Sequence, residues 1–131
     1  MTAQFIADNK VDSILHKVFD KQYRDNELNW QPYGADGRQN VHIARLYDAR
    51  HNGKGPAAAI LRYAPGARVP AHLHPGFELI LVLEGELIND AGRHAAGTLE
   101  ICPPGSVHAL CSDTGCTFLV VWEEPVVKLN C

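Results

Sequence analysis

Two histidines and one glutamate stand at spacings that could bind a metal ion. His72 and His74 are two residues apart in a stretch typical of a β-strand, so their side chains point to the same face. Glu78 lies at an even spacing from both, on the next strand-like run, and Pro75-Gly76 supplies the turn chemistry for a bend between them. The pattern indicates that two imidazoles and one carboxylate can be directed at a common point.

A fourth candidate ligand is His108, which stands three residues beyond Gly105 on a strand that returns from a Pro103-Pro104-Gly105 turn. Its imidazole would complete a shell of three nitrogens and one oxygen. Such a shell suits Fe²⁺, Mn²⁺, Ni²⁺, Co²⁺ or Zn²⁺, and ligand softness alone does not choose among them. With four protein ligands an octahedral ion keeps two open positions, whereas a tetrahedral Zn²⁺ would be nearly closed, as in structural sites.

The elements that must position these ligands are short and rich in β-formers. From Trp30 onward, such runs alternate with separators of Gly, Pro, Asn and Asp. The runs are 41–47, 57–63, 77–84, 98–102, 106–111 and 117–122. Many short strands with turn signals between them are typical of an all-β sandwich or barrel.

The residues before the strands carry a different period. Apolar side chains recur at helical spacing, at positions Val11, Ile14, Leu15, Val18 and Phe19. With Asn9 and Asp12 as a capping pair, they predict one short helix packed on the outside of the barrel. We therefore predict one domain over residues 1–131, with an N-terminal helical extension over about 1–29 and a barrel over about 30–125.

Strand alternation also predicts what surrounds the ligands. Ile80, Val82 and Leu110 share the parity of the ligands on their strands and are expected to line the barrel. One of the neighbours Arg62 and Tyr63 should face inward, and an inward Arg62 would be a candidate anion clamp. The remaining histidines share no face or motif and are interpreted as structural; they are His16, His42, His51 and His94.

Composition and charge exclude several classes of function. The net charge is −3 and no cluster of Lys and Arg is present, so nucleic acid is not an expected partner. No apolar stretch could span a bilayer and the first residues do not resemble a signal peptide, so we expect a cytoplasmic protein. None of the four cysteines forms a Cys-x-x-Cys pair, and we expect them to be mostly reduced.

The two stretches that carry the candidate ligands resemble the paired motifs of the cupin superfamily. The first, from Gly66 to Gly85, reads Gly-x5-His-x-His-x3-Glu-x6-Gly and agrees at every fixed position. The second begins at Gly97 and departs only at its end, where Ser112 stands in place of Asn. The resemblance implies a double-stranded β-helix barrel of the jelly-roll type that holds one divalent metal ion on His72, His74, Glu78 and His108.

Within that superfamily, residues 30–122 are most similar to ChrR-like cupins, the metal-binding C-terminal domain of certain anti-sigma factors and their stand-alone relatives. The similarity rests on residues 30–32, on the segment 60–87, on the turn 89–98, on 103–108 and on 112–116. It does not extend to the N-terminal His/Cys zinc domain with which such anti-sigma factors hold their sigma factor. A regulatory role is therefore less expected from this stretch than metal binding.

Two functions follow from the metal and the resemblance. The first is an enzyme of the dioxygenase, isomerase or decarboxylase type that acts on a small, largely apolar, oxygenated substrate. The alternative is a non-enzymatic zinc-binding sensor, in which Cys102, Cys111 and Cys116 would respond to oxidants. We also expect a homodimer, which would cover the apolar N-terminal stripe and the edge-forming strand 41–47.

Overall fold

The computed structural model describes residues 4–5 and 14–129. Ten strands, one α-helix and one 3₁₀ turn are found there. The strands are β1 (Gln4–Phe5), β2 (Gln31–Pro32), β3 (Gln39–Asp48), β4 (Ala57–Leu73), β5 (Glu78–Asn89), β6 (Gly92–Ala95), β7 (Leu99–Cys102), β8 (Val107–Ser112), β9 (Cys116–Trp122) and β10 (Val127–Lys128). The helix α1 spans Lys21–Glu27, and the 3₁₀ turn spans Ala35–Gly37.

The strands form one antiparallel sheet in which β4 and β5 each pair with two sets of partner strands. The first part of β4 pairs with β3 and β9, and its last part pairs with β8 and β10. The first part of β5 pairs with β7 and β9, and its last part pairs with β6 and touches β8. Since two long strands pass from one set of partners to another, the sheet folds over on itself into a jelly roll. The predicted all-β cupin fold is confirmed.

Each of the six predicted strand runs matches a strand, three of them beginning one residue too early, but two predicted separators were wrong. The segment 64–70 continues β4 instead of ending it, and 85–97 contains the β5–β6 hairpin. A glycine at φ 84°, Gly66, and a register shift between Val69 and His72 let β4 bend and continue. Turn-forming residues here mark bulges in a strand, because the ladder of hydrogen bonds resumes beyond them.

The predicted short helix is present, but its predicted position was wrong. Residues 16–19 form a turn, and α1 begins only after Asp20, whose side chain accepts a hydrogen bond from the backbone N–H of Gln22. Leu15 and Val18 of the expected stripe pack against the outer face of the sheet, whereas Ile14 and Phe19 are exposed. The other predicted positions, Asn9, Val11 and Asp12, lie outside the described residues.

A buried arginine ties α1 to the barrel. Arg24 is 1% exposed, donates to the carbonyl oxygen of Val18 and pairs with the carboxylate of Glu84 on β5. The indole N–H of Trp30 donates to the carbonyl oxygen of Arg24. No helix within 4–5 and 14–129 is long and apolar enough to cross a membrane.

The barrel interior holds the main core. Ile80, Val82 and Leu110 belong to it, as alternation predicted. Tyr63 also faces inward, 5.0 Å from the ring of Phe118 between ring centres. Arg62 therefore faces outward, over the ring of Trp30, and is not an anion clamp inside the barrel.

Candidate metal centre

Four side chains meet inside the barrel where the sequence predicted them to meet. His72 lies in β4, His74 follows that strand directly, Glu78 begins β5 and His108 lies in β8. All four are buried, at 1–5% exposure, and their potential ligand atoms lie within 4.8 Å of one another. The residues are brought together by pairing: His72 stands opposite His108 in the β4–β8 ladder.

Main-chain hydrogen bonds join His74, directly after β4, to the turn that precedes β8. The N–H of His74 donates to the carbonyl oxygen of Ser106 at 2.9 Å, and the N–H of Gly105 donates to the carbonyl oxygen of His74 at 2.7 Å. Gly105 adopts φ 87° in the turn before β8, a conformation in which a side chain would be strained. The Pro-Pro-Gly turn thus fixes where β8 begins relative to β4, and with it the position of His108 relative to His74.

The three imidazole rings are oriented by contacts at their Nδ1 atoms. These contacts are His72 to the carbonyl oxygen of Pro70 at 3.0 Å, His74 to that of Ser106 at 3.1 Å, and His108 to the carboxylate of Glu100 at 3.3 Å. Carbonyl and carboxylate oxygens only accept hydrogen bonds, so each Nδ1 carries the proton. Each Nε2 is then left as a lone-pair donor, which is the arrangement that metal-binding histidines require.

The atoms that face one another have no hydrogen-bond partners. His74 Nε2 lies 2.6 Å and His108 Nε2 lies 3.4 Å from Glu78 Oε2, yet their orientations are not those of hydrogen bonds. Leaving three polar atoms buried and unpartnered is costly, at about 1–3 kcal/mol each. A cation between them would partner all three, so the residues fit a divalent metal ion. The donor set, imidazole nitrogens with one carboxylate, is one that Zn²⁺ and Fe²⁺ share.

Burial and charge separate the histidines in their affinity for protons. Burial lowers the pKa of His72 to about 4, and the neighbouring His108 adds to the effect. Burial also opposes the protonation of His74, but the close contact and negative charge of Glu78 outweigh it and raise the pKa of His74. Without an ion, His72 is therefore neutral at pH 7, and His74 takes up a proton before His72 does as the pH falls.

This order of protonation gives a testable stoichiometry for metal binding. We expect Zn²⁺ binding near pH 5.5 to release clearly fewer than three protons, because His72 is already neutral there, whereas three histidines of ordinary pKa would release nearly three. Proton release should disappear as the pH rises above the raised pKa of His74 and reappear as it falls. Calorimetry in buffers of different ionisation enthalpy measures the number of protons, and release of three protons near pH 5.5 would contradict the lowered pKa of His72.

One neighbour of the site was missed by sequence reasoning. Glu100 stands in β7 opposite Ile80, and its carboxylate reaches His108 only because β7 pairs with β5 in this register. The hydrogen bond from His108 outweighs burial and lowers the pKa of Glu100, which stays ionised. Its alternation with Cys102 along β7 is the only local signal for this position.

The cysteines and Ser112 have distinct surroundings. The Sγ atom of Cys102 lies 3.8 Å from His108 Nδ1, and burial, followed by the charges of Glu78 and Glu100, raises its pKa far above the ordinary thiol value. Cys111 is half-buried and alternates along β8 with the buried Leu110 and Ser112. Among the described cysteines, Cys102, Cys111 and Cys116 are free thiols, as expected.

Ser112, the one departure from the motif pattern, has a structural contact. Its hydroxyl donates to the carbonyl oxygen of Glu86 at 2.6 Å and accepts from the N–H of Gly115 at 3.0 Å. It therefore joins β8 to β5 and to the turn before β9, and does not touch the four candidate ligands.

Comparison with known proteins agrees with this geometry. The sequence is 36% identical over 106 residues to the anti-sigma-E factor ChrR of Cereibacter sphaeroides, covering 79% of this chain and 46% of that protein, so the chain spans about half the length of this relative. The structure of ChrR in complex with SigE from Rhodobacter sphaeroides is similar with a TM-score of 0.60 at 28% identity, covering 73% of this chain and 49% of that one.

A likeness of fold alone extends to an enzyme. An acetylacetone dioxygenase from Acinetobacter johnsonii gives a TM-score of 0.69 at 14% identity, covering 78% of this chain and 72% of that one. The family described as the ChrR Cupin-like domain matches residues 20–125, which include every strand from β2 to β9 and all four candidate ligands. The chain belongs to the ChrR cupin-like family.

Proposed function

We propose that this chain binds one divalent metal ion through His72, His74, Glu78 and His108, and that the ion serves an enzyme acting on a small oxygenated substrate. The main support for a metal site is that three buried atoms without hydrogen-bond partners face one another between β4, β5 and β8. These atoms are His74 Nε2, Glu78 Oε2 and His108 Nε2. Three imidazoles fixed through Nδ1 and one carboxylate hold an ion without using every position of an octahedron. The open positions are what an enzyme needs and a structural site does not.

The chain's own residues would hold and desolvate the substrate. The bound ion would supply Lewis-acid chemistry and, if it is redox-active, electron-transfer chemistry. Ile80, Val82, Leu110 and Phe118 belong to the apolar core of the barrel and favour an apolar substrate body. These residues exclude water, which strengthens electrostatic interactions at the ion. The proposal covers dioxygenase, isomerase and decarboxylase types, since the likeness to a dioxygenase is one of fold.

A zinc-binding regulatory module is the second candidate, and the 36% identity to an anti-sigma factor favours it. The thiols support a redox version of this role poorly. Cys102, whose Sγ atom lies 3.8 Å from His108 Nδ1, is 3% exposed, and its raised pKa keeps it protonated. The thiolate is the form that oxidants attack, so Cys102 is a poor target.

Metal identity and peroxide response distinguish the two functions. For the enzyme we expect iron or another redox-active ion after anaerobic purification, and no effect of a Cys102→Ser, Cys111→Ser, Cys116→Ser triple variant on metal content. Elemental analysis with and without peroxide measures both. Stoichiometric zinc that peroxide releases from the wild type but not from the triple variant would contradict the enzyme and support the sensor.

We also propose that the chain forms a homodimer, through a surface that differs from the expected one. The edge of β3, over 41–47, is covered in part by β1 and β2. By contrast, the outer face of β5 and β7 exposes Leu79, Leu99 and Ile101 at 40%, 56% and 60%. This outer patch continues the face that Leu15, Val18 and Leu28 already cover. A second copy of the chain is the proposed cover for the rest.

The dimer is tested by charges placed on that patch. We expect light scattering at micromolar concentration to give about twice 14.4 kDa for the wild type and 14.4 kDa for a Leu99→Lys, Ile101→Lys variant. Val127→Lys, a change at an exposed apolar residue of β10, is the matched control and should stay dimeric. A wild type of 14.4 kDa would contradict the proposal.

A further inference from the structure

The hydrogen bonds behind the three candidate histidine ligands are not equivalent. The Nδ1 atoms of His72 and His74 each contact a main-chain carbonyl oxygen, which no side-chain substitution removes, and His74 Nδ1 also lies 3.0 Å from the hydroxyl oxygen of Ser106. His108 places Nδ1 on a side-chain carboxylate, that of Glu100, at 3.3 Å. The orientation of this one ring therefore depends on a replaceable residue of a different strand.

The position of Glu100 suits that role. Its side chain is 26% exposed, and its Oε1 atom is buried without a hydrogen-bond partner. The other atom near His108 Nδ1 is the Sγ atom of Cys102 at 3.8 Å, which is a weak acceptor. The carboxylate is thus the strongest acceptor for the His108 N–H.

We propose that Glu100 is a positioning residue that orients His108 and increases its strength as a metal ligand. This inference rests on the proposed metal site. The carboxylate accepts the Nδ1 proton, which fixes the tautomer with a lone pair on Nε2 and fixes the plane of the ring. Its negative charge draws the proton and makes Nε2 a stronger donor to a cation. Glu100 itself touches neither the ion nor a substrate.

The test compares Zn²⁺ affinities, measured by competition with a chelating dye, in three variants. We expect Glu100→Ala to weaken binding about 10–100-fold, because the ring loses its acceptor. Glu100→Gln should fall between this variant and the wild type, because its amide oxygen still accepts the proton but carries no charge. Glu86→Gln removes a half-exposed carboxylate that pairs with Arg93 and should bind as the wild type does.

Two further measurements separate positioning from a structural effect. The visible spectrum of the Co²⁺-loaded protein should shift in Glu100→Ala while one ion still binds, because the field of one ligand changes. In a His108→Ala background, Glu100→Gln should cause no further loss of affinity, since the residue acts through that ring. Should Glu100→Ala fail to fold, the near-isosteric Glu100→Gln carries the comparison.

The outcomes distinguish this inference from the proposed function. Wild-type binding with unchanged affinity and an unchanged Co²⁺ spectrum in both Glu100 variants would overturn the role of Glu100 and leave the metal site intact. Equal losses from Glu100→Gln in the presence and absence of His108 would also overturn it. A wild type that binds neither Zn²⁺ nor Co²⁺ would overturn the metal site itself, and this inference with it.

Discussion

Replacing His72 or His108 with alanine is expected to leave a folded barrel that holds almost no divalent metal. Each change removes one of four ligands that belong to different parts of the sheet. Loss of a direct ligand should weaken binding more than the about 10–100-fold expected for a residue behind it. The barrel has a separate apolar core, so the metal-free variants should still fold.

Elemental analysis and metal titration of the purified variants measure this effect, with circular dichroism as the check on folding. His94→Ala is the matched control, because His94 contacts Asn89 at 2.7 Å and is not among the four candidate ligands. Full metal occupancy in both His72→Ala and His108→Ala would show that the site assignment is wrong.

Replacing Gly85 with alanine is expected to cause a large loss of stability. Gly85 ends the first motif at φ 77°, and a Cβ atom there would lie 2.2 Å from the carbonyl oxygen of Gly115 and 2.8 Å from Cys116 Cα. Both are main-chain atoms of neighbouring sheet structure and cannot move independently of β9. Left-handed strain and the clash together should lower the free energy of unfolding by about 2–5 kcal/mol.

Chemical denaturation of the metal-free protein measures this loss without a contribution from ion binding. Gly66→Ala is the matched control: Gly66 adopts φ 84°, but its Cβ would meet nothing within 4 Å. It should lose only the conformational part, about 1–2 kcal/mol. Equal losses in the two variants would mean that the contact with Gly115 is not what requires glycine at 85.

Local sequence determined the strands, the direction of side chains along each strand, and the convergence of the four candidate ligands. Alternation within one strand is a property of the extended backbone, so His72, His74, Ile80 and Leu110 all point as predicted. The fixed motif spacing predicted the convergence itself, because it places the candidate ligands on strands that pair. Similar reasoning found the turn at 103–105 that delivers His108.

The tertiary structure alone decided the features that depend on bulges, caps and register. Counting residues back from His72 could not tell whether Arg62 or Tyr63 faces the interior, since β4 shifts register between Val69 and His72. The helix begins after Asp20 because a cap there outweighs a stripe of helical period. Glu100 reaches His108 only through the pairing of β7 with β5. Hydrogen-bond ladders between distant segments set such contacts, and local periodicity carries no information about them.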